Sequence, residues 1–170
     1  MELTQRISCL SWIIKSSGKV TGKTRLQKLA FLTAKTVKGI EKIEFYNDWM
    51  PGDYGPFSRK LSIDIKQIST EGAKQLVKVY DAPTISGEKV LDSTTTTYLP
   101  TSLGERAADD FELTNPSLGV AIKKITTRYA GAPLVELVHD VYYQFPKYTV
   151  SSKIRGQISV KDTLLDPIFD

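Results

Sequence analysis

Apolar residues in this chain recur at helical spacing in six stretches and alternate with polar ones in a single stretch between 76 and 99. Residues 4–16 place Ile7, Leu10, Trp12, Ile13 and Ile14 on a broad helical face, which Ser16-Ser17-Gly18 closes. Residues 19–22 are a link or a small strand. Residues 24–38 turn Leu26, Leu29, Ala30, Thr33 and Val37 inward, with Phe31 and Leu32 widening the face. Thr21 or Thr24 caps this second helix, Gly39 stops it, and Arg25, Lys28 and Lys35 form an outer strip. Pro51, Gly52, Gly55 and Pro56 then make a turn, and Pro56 suits a first helical position. Beyond it Phe57, Leu61, Ile65 and Ile68 form one stripe of a third helix reaching about residue 70. Arg59, Ser62 and Lys66 lie opposite, with Lys60 on the flank.

Between the second helix and the turn, residues 40–50 read as a short extended piece carrying Phe45, Tyr46 and Trp49. Aromatics beside basic residues either stack bases or plug the joint between helices. Past Gly72 the period changes. Residues 76–80, 89–91 and 95–99 are strand candidates rich in β-branched residues, making a small β-ribbon after the third helix. Helix resumes at Ser102, which stands with Glu105 in capping-box spacing. Asn115-Pro116 opens a further helix to about Tyr129, and residues 134–145 form a last one, with Leu134, Leu137, Val138, Val141 and Tyr142 inward and Pro146 at its end.

A chain of 170 residues with 41% hydrophobic content and 25% charge has material for one core plus an appendage. No run of 18 apolar residues and no signal-peptide pattern is present, so a cytoplasmic protein without a membrane span is expected. A single cysteine, Cys9, excludes an internal disulfide and fits a small core residue. The net charge of +4 is unevenly spread: residues 1–70 carry twelve Lys/Arg against six Asp/Glu, and residues 81–116 carry two against seven. That asymmetry points to an anionic partner for the first part. Gly22-Lys23-Thr24 is not a phosphate loop, because Ser17 stands where the first glycine is required. His139 beside Asp140 lacks a ligand set for zinc and a nucleophile elbow, and Asp109, Asp110 and Glu112 diverge around a helix. Neither an enzyme nor a metal or other cofactor is expected.

Helix, link, helix, turn, helix, ribbon, helix is the element order of a winged helix. The junction Tyr98-Leu99-Pro100-Thr101-Ser102-Leu103-Gly104 resembles the Y-x-L-T-x-x-G close of the wing in winged-helix regulators. Lys23-Thr24-Arg25-Leu26-Gln27-Lys28-Leu29-Ala30-Phe31, followed by Tyr54-Gly55-Pro56-Phe57-Ser58-Arg59-Lys60-Leu61, is similar to the K-L-Q-K-L-x-Y and Y-G-P motifs of two groups. One is a set of uncharacterised prokaryotic winged-helix proteins; the other is the Panacea (SocA-like, phage-associated) domain, whose members act as antitoxins or proteolytic adaptors. The likeness spans about 23–61, and the wing close carries it to about 112.

The expected fold is therefore mainly α with a small β-ribbon (α+β). A winged-helix-like domain over 1–114 carries a helical extension at 115–150 and a tail at 151–170 with an apolar tip. One functional expectation is a DNA-binding transcriptional regulator. Arg59, Ser62 and Lys66 would face bases of double-stranded DNA, Lys60, Arg25 and Lys28 would neutralise phosphates, and Lys89 on the wing would reach the minor groove. The other is a protein-interaction module of antitoxin or adaptor type, binding a partner such as a toxin through Trp49, Tyr54 and Phe57. Against simple DNA reading stands the 17-residue separation of Lys38 from Pro56, where a helix-turn-helix has three or four. Helix 134–145 is expected to pair two subunits in a homodimer.

Overall fold

The computed structural model describes residues 3–83, 94–154 and 156. Helix α1 (Gln5–Ser16) begins at Thr4, whose hydroxyl accepts the Ile7 N–H. Strand β1 (Val20–Thr21) leads into α2 (Lys23–Thr36), a 3-10 turn at Ile40–Ile43, the hairpin β2 (Met50–Gly52) and β3 (Gly55–Phe57), and α3 (Arg59–Ser69). The ribbon β4 (Val77–Pro83) and β5 (Thr94–Pro100) is followed by α4 (Ser102–Thr114), α5 (Pro116–Tyr129), α6 (Leu134–Gln144) and a 3-10 turn at Pro146–Thr149. Strand β5 lies between β1 and β4 in one antiparallel sheet, with Tyr98 opposite both Val20 and Val79. The architecture is mainly α with a small antiparallel sheet and a two-stranded hairpin (α+β), and two further helices follow α4 as the sequence pattern implies.

Helix α2 is the axis of the molecule. Every residue from Thr24 to Thr33 is buried, because α1, α5, α6, β3 and the 40–43 turn all pack against it. Phe31 on α2 receives the ring edges of Trp49, Phe145 and Tyr148 at centroid distances of 5.2, 4.9 and 5.0 Å. That cluster fixes the 39–56 insert and the end of α6 onto the same helix, since edge-to-face rings resist sliding. Leu134, Leu137, Val138, Val141 and Tyr142 on α6 are all buried within the chain. The apolar face on which the homodimer expectation rested is thus already covered intramolecularly, leaving Val135 and Tyr143 as the exposed apolar residues of α6.

Several local expectations need correction. Residues 40–50 are not one extended piece: Ile40–Ile43 form a 3-10 turn, 44–49 a turn and loop, and Met50 begins β2. Pro56 does not open α3: it pairs with Pro51 in the hairpin, and Ser58 caps the helix by accepting the Leu61 N–H. The inward stripe of α3 is Leu61, Asp64 and Ile68, whereas Phe57 is exposed and Ile65 half-buried. Helix α2 starts from Gly22 with no side-chain cap and ends before Gly39, at Thr36. The strand expected at 89–91 and most of the 151–170 tail lie outside the described residues. No helix among the described residues is long and apolar enough to cross a membrane.

The junction at 98–104 has a structural explanation. Thr101, one residue earlier than the expected cap at Ser102, accepts the Gly104 N–H and donates its hydroxyl to the Gln75 carbonyl at 2.6 Å. Its own N–H reaches the Leu76 carbonyl at 2.9 Å. Gly104 is required because a Cβ there would sit 2.0 Å from that same Leu76 oxygen. Backbone cannot swing aside as a side chain can. Gly104→Ala is therefore expected to lower stability by about 3 kcal/mol or more. Gly131→Ala, with nothing within 4 Å of the new methyl, is expected to stay within about 0.5 kcal/mol of wild type when both variants are unfolded in urea.

Candidate functional site

The residues singled out from the sequence separate into a buried set and an exposed set. Arg25 is 7% exposed and Lys28 only 2%; they do not form an outer strip, and the phosphate contacts expected of them are not supported by this placement. The reason is coverage that periodicity does not register. The end of α5 lies over Arg25, whose guanidinium donates to the carbonyls of Tyr129 and Ala132 at 3.1 and 3.0 Å. Carbonyls past a helix's last turn lack intrahelical donors and carry the negative end of its dipole, so a guanidinium suits them. The hairpin covers Lys28, whose ammonium donates to the Pro56 carbonyl at 3.0 Å. Gly55 makes this close approach possible: its φ is +88°, and a Cβ would meet the Tyr142 ring at 2.5 Å and Lys28 Cε at 3.3 Å.

Gln27, which the sequence reading passed over, brackets Ser58 from both sides. Its amide donates to the Ser58 carbonyl at 3.0 Å and accepts the Ser58 N–H at 2.9 Å. The L-Q-K-L and Y-G-P motifs are therefore two halves of one junction, in which side chains of α2 grip the backbone leading into α3. Asp48 adds a second grip, accepting the Ser58 hydroxyl at 2.5 Å and the Lys60 N–H at 2.9 Å. Partial burial pushes its carboxyl up, but these donors outweigh that and hold it below the usual range. The third grip is Asp64, buried on the inner side of α3, with Arg6 Nε at 2.8 Å and the Tyr46 hydroxyl at 2.9 Å. Tyr46 and Trp49 thus belong to the core. The Trp49 indole donates to the Tyr46 carbonyl at 2.9 Å, which removes Trp49 from any partner-binding surface.

So held, α3 presents Arg59, Lys60, Ile63, Lys66 and Gln67 to solvent. Spacing of four, three and one from Arg59 through Ile63 and Lys66 to Gln67 puts those four on one helical face. Ser62 is turned the other way. It is half-buried, accepts from the Gln27 amide and donates to the Ser58 carbonyl, so it is not placed among the base-facing residues as expected. Lys89 lies outside the described residues. On the ribbon Lys78 and Tyr80 are exposed. The insert does not lie over the exposed face of α3. Its hairpin packs instead against the 146–149 turn, and the Lys153 N–H donates to the Asp53 carbonyl at 2.8 Å. Tyr54 and Phe57, both near 37% exposed at 36% and 38%, stand on this hairpin.

Behind α3 a cleft of about 770 Å³ opens between α2, the hairpin and the sheet. Lys28 lines it, and burial lowers the ammonium's pKa to about 7. Among the described residues no group of acids, histidine and cysteine could hold a metal ion. Cys9 is buried, which pushes its thiol well up. His139 is buried on α6, Nδ1 3.8 Å from Asp140 Oδ1.

A lysine whose folded pKa is depressed binds its proton more readily when unfolded, so stability rises with pH across the window from the folded to the unfolded value. For Lys28 that window opens near pH 7. It is cut short above about pH 9, where Cys9 and the buried Tyr46, Tyr129 and Tyr142, all with raised pKa values, begin to ionise only in the unfolded chain. Between about pH 7 and 9, urea unfolding should show wild type gaining about 2 kcal/mol relative to Lys28→Met. Parallel curves for the two proteins would mean that the ammonium is hydrated. Comparison with known proteins returned no matching family model, no matching curated protein and no matching solved structure.

Proposed function

We propose that the protein is a DNA-binding transcriptional regulator of winged-helix type, reading duplex DNA with the outer face of α3 and flanking it with the ribbon. The observation that carries this reading is the pose of α3. Its inner side is fixed at Ser58 and Asp64, while Arg59, Lys60 and Lys66 are all exposed. Between residues 59 and 81 the chain holds five Lys/Arg against three Asp/Glu, and one of those acids, Asp64, is already neutralised by Arg6. A helix presenting cations beside exposed Lys78 on a strand ribbon suits phosphate contact and major-groove entry.

A second reading has its own support. Met50, Tyr54 and Phe57 leave apolar surface exposed on the hairpin, which suits a protein-interaction module of antitoxin or adaptor type with aromatic anchors.

Fluorescence anisotropy with random-sequence duplex DNA at several salt concentrations separates the two. Wild type should lose affinity steeply with salt. In the non-specific complex with random-sequence DNA, where no base is selected and these cations stand against phosphates, Arg59→Ala/Lys66→Ala should reduce the slope of log affinity against log salt by about 2. Lys123→Ala/Lys124→Ala, which removes the same charge from the exposed side of α5, should leave the slope nearly unchanged. Absence of binding at low salt would sink the regulator reading and leave the hairpin aromatics as the surface to pursue.

A further inference from the structure

The cleft behind α3 is walled by Leu26, Leu61, Ile65, Val79 and Tyr98, and its volume of about 770 Å³ falls within the range of small-molecule sites. One charge is built into this wall. Lys28 is buried, and an ammonium has three protons to donate; among the described residues its one acceptor is the Pro56 carbonyl. Among the described residues no carboxylate pairs with it. The two acids that line the cleft are engaged elsewhere: Asp53 pairs with Lys153 at 3.0 Å, and Asp81 accepts the Thr96 hydroxyl at 2.7 Å. Lys23 and Lys66, both exposed, add positive potential at the rim.

We propose that this cleft binds a small amphipathic carboxylate, with its head on Lys28 Nζ and its apolar body against the walls. A cation in an apolar site is costly until an anion is brought to it. One ammonium matches one negative charge. A dianion such as a phosphate monoester would leave charge unbalanced at the base of the cleft, and a neutral apolar molecule would leave the ammonium as it is. The proposal concerns the inner side of α3 and stands whether or not the outer side reads DNA.

Occupation changes the protonation of Lys28. Its pKa of about 7 must rise beside a carboxylate, so binding takes up a proton at and above neutrality. The other titratable groups around it are Lys23 on its own helix, Asp53 and Tyr54 on the hairpin, Lys66 on α3, Asp81 and Tyr98 on the sheet, and Tyr142, whose ring adjoins Gly55.

The test is calorimetric titration of the full chain with octanoate and, in parallel, octanol. Octanoate should saturate one site at least about tenfold more tightly than octanol, and its affinity should fall about tenfold per pH unit above 7. In Lys28→Met the preference for octanoate should vanish and the pH dependence with it. Ile65→Trp, which fills the cleft while keeping the ammonium, should weaken both ligands. Equal affinity of octanoate and octanol for wild type, unchanged octanoate binding in Lys28→Met, or no saturable binding to wild type would each overturn the proposal. The wild-type comparison and Ile65→Trp decide the matter even if Lys28→Met does not fold.

Discussion

A helix buried on every side must find a partner inside the protein for each polar group it carries, because a donor stripped of water and left unpaired costs more than a made hydrogen bond returns. Helix α2 carries Arg25, Gln27, Lys28 and Thr33 into the interior. Thr33 turns back to the Leu29 carbonyl at 2.9 Å. Each of the other three reaches a different element: the end of α5, the start of α3 and strand β3. Apolar packing alone tolerates small slides between elements, whereas a side-chain amide bonded to both the N–H and the carbonyl of one residue does not. The relative placement of α5, α3 and the hairpin therefore depends on three neighbouring polar side chains of one helix.

The consequence for α3 is a helix held firmly on one side and left open on the other. Gln27 and Asp48 hold its first turn, and Asp64 ties its middle to α1 and to Tyr46. Leu61 and Ile68 are the fully buried apolar side chains on α3. With so few apolar contacts, polar anchors do much of the positioning, and space remains between α2 and α3. The hairpin keeps this space open at one end. Strand β3 sits against α2 where a short helix-turn-helix connection would draw the two helices together.

Local signals read the helices well and their surroundings poorly. Periodicity located α4 and α5, each with one buried face and one exposed, and also α1 and α6, whose apolar spacing was legible although residues 7–14 and 137–142 are buried on every side. On α2 the same logic turned Arg25 and Lys28 outward together with Lys35; only Lys35 is exposed. Nothing local distinguishes these three. The coverage comes from α5 and from the hairpin, more than 100 residues and nearly 30 residues away in sequence, at Tyr129 and Pro56. Asp64 was unreadable for the same reason, since a carboxylate on the inward stripe makes sense only once Arg6, 58 residues earlier, is beside it. Pro56 shows a different failure: a proline suited to a first helical position is equally suited to a hairpin, and pairing with Pro51 prevailed. The exposed basic residues of α3 were legible, because their surroundings are solvent.

The two faces of α3 are separated by the width of a single helix and share one residue. Lys66 lies both on the outer face and at the rim of the cleft. Nearness alone does not couple them, since an occupant of the cleft alters the outer face only by binding a shifted α3 more tightly than the resting one. The Gln27 bracket and the Asp64 anchor oppose such a shift at the first turn and the middle of α3. The last turn is tied to the segment that follows it: the Ile68 carbonyl accepts the Leu76 N–H at 2.9 Å and the Ser69 carbonyl accepts the Gln75 side-chain amide at 3.3 Å. Helix α3 is thus held at its first turn, its middle and its last turn, and a shifted pose would have to break bonds at all three.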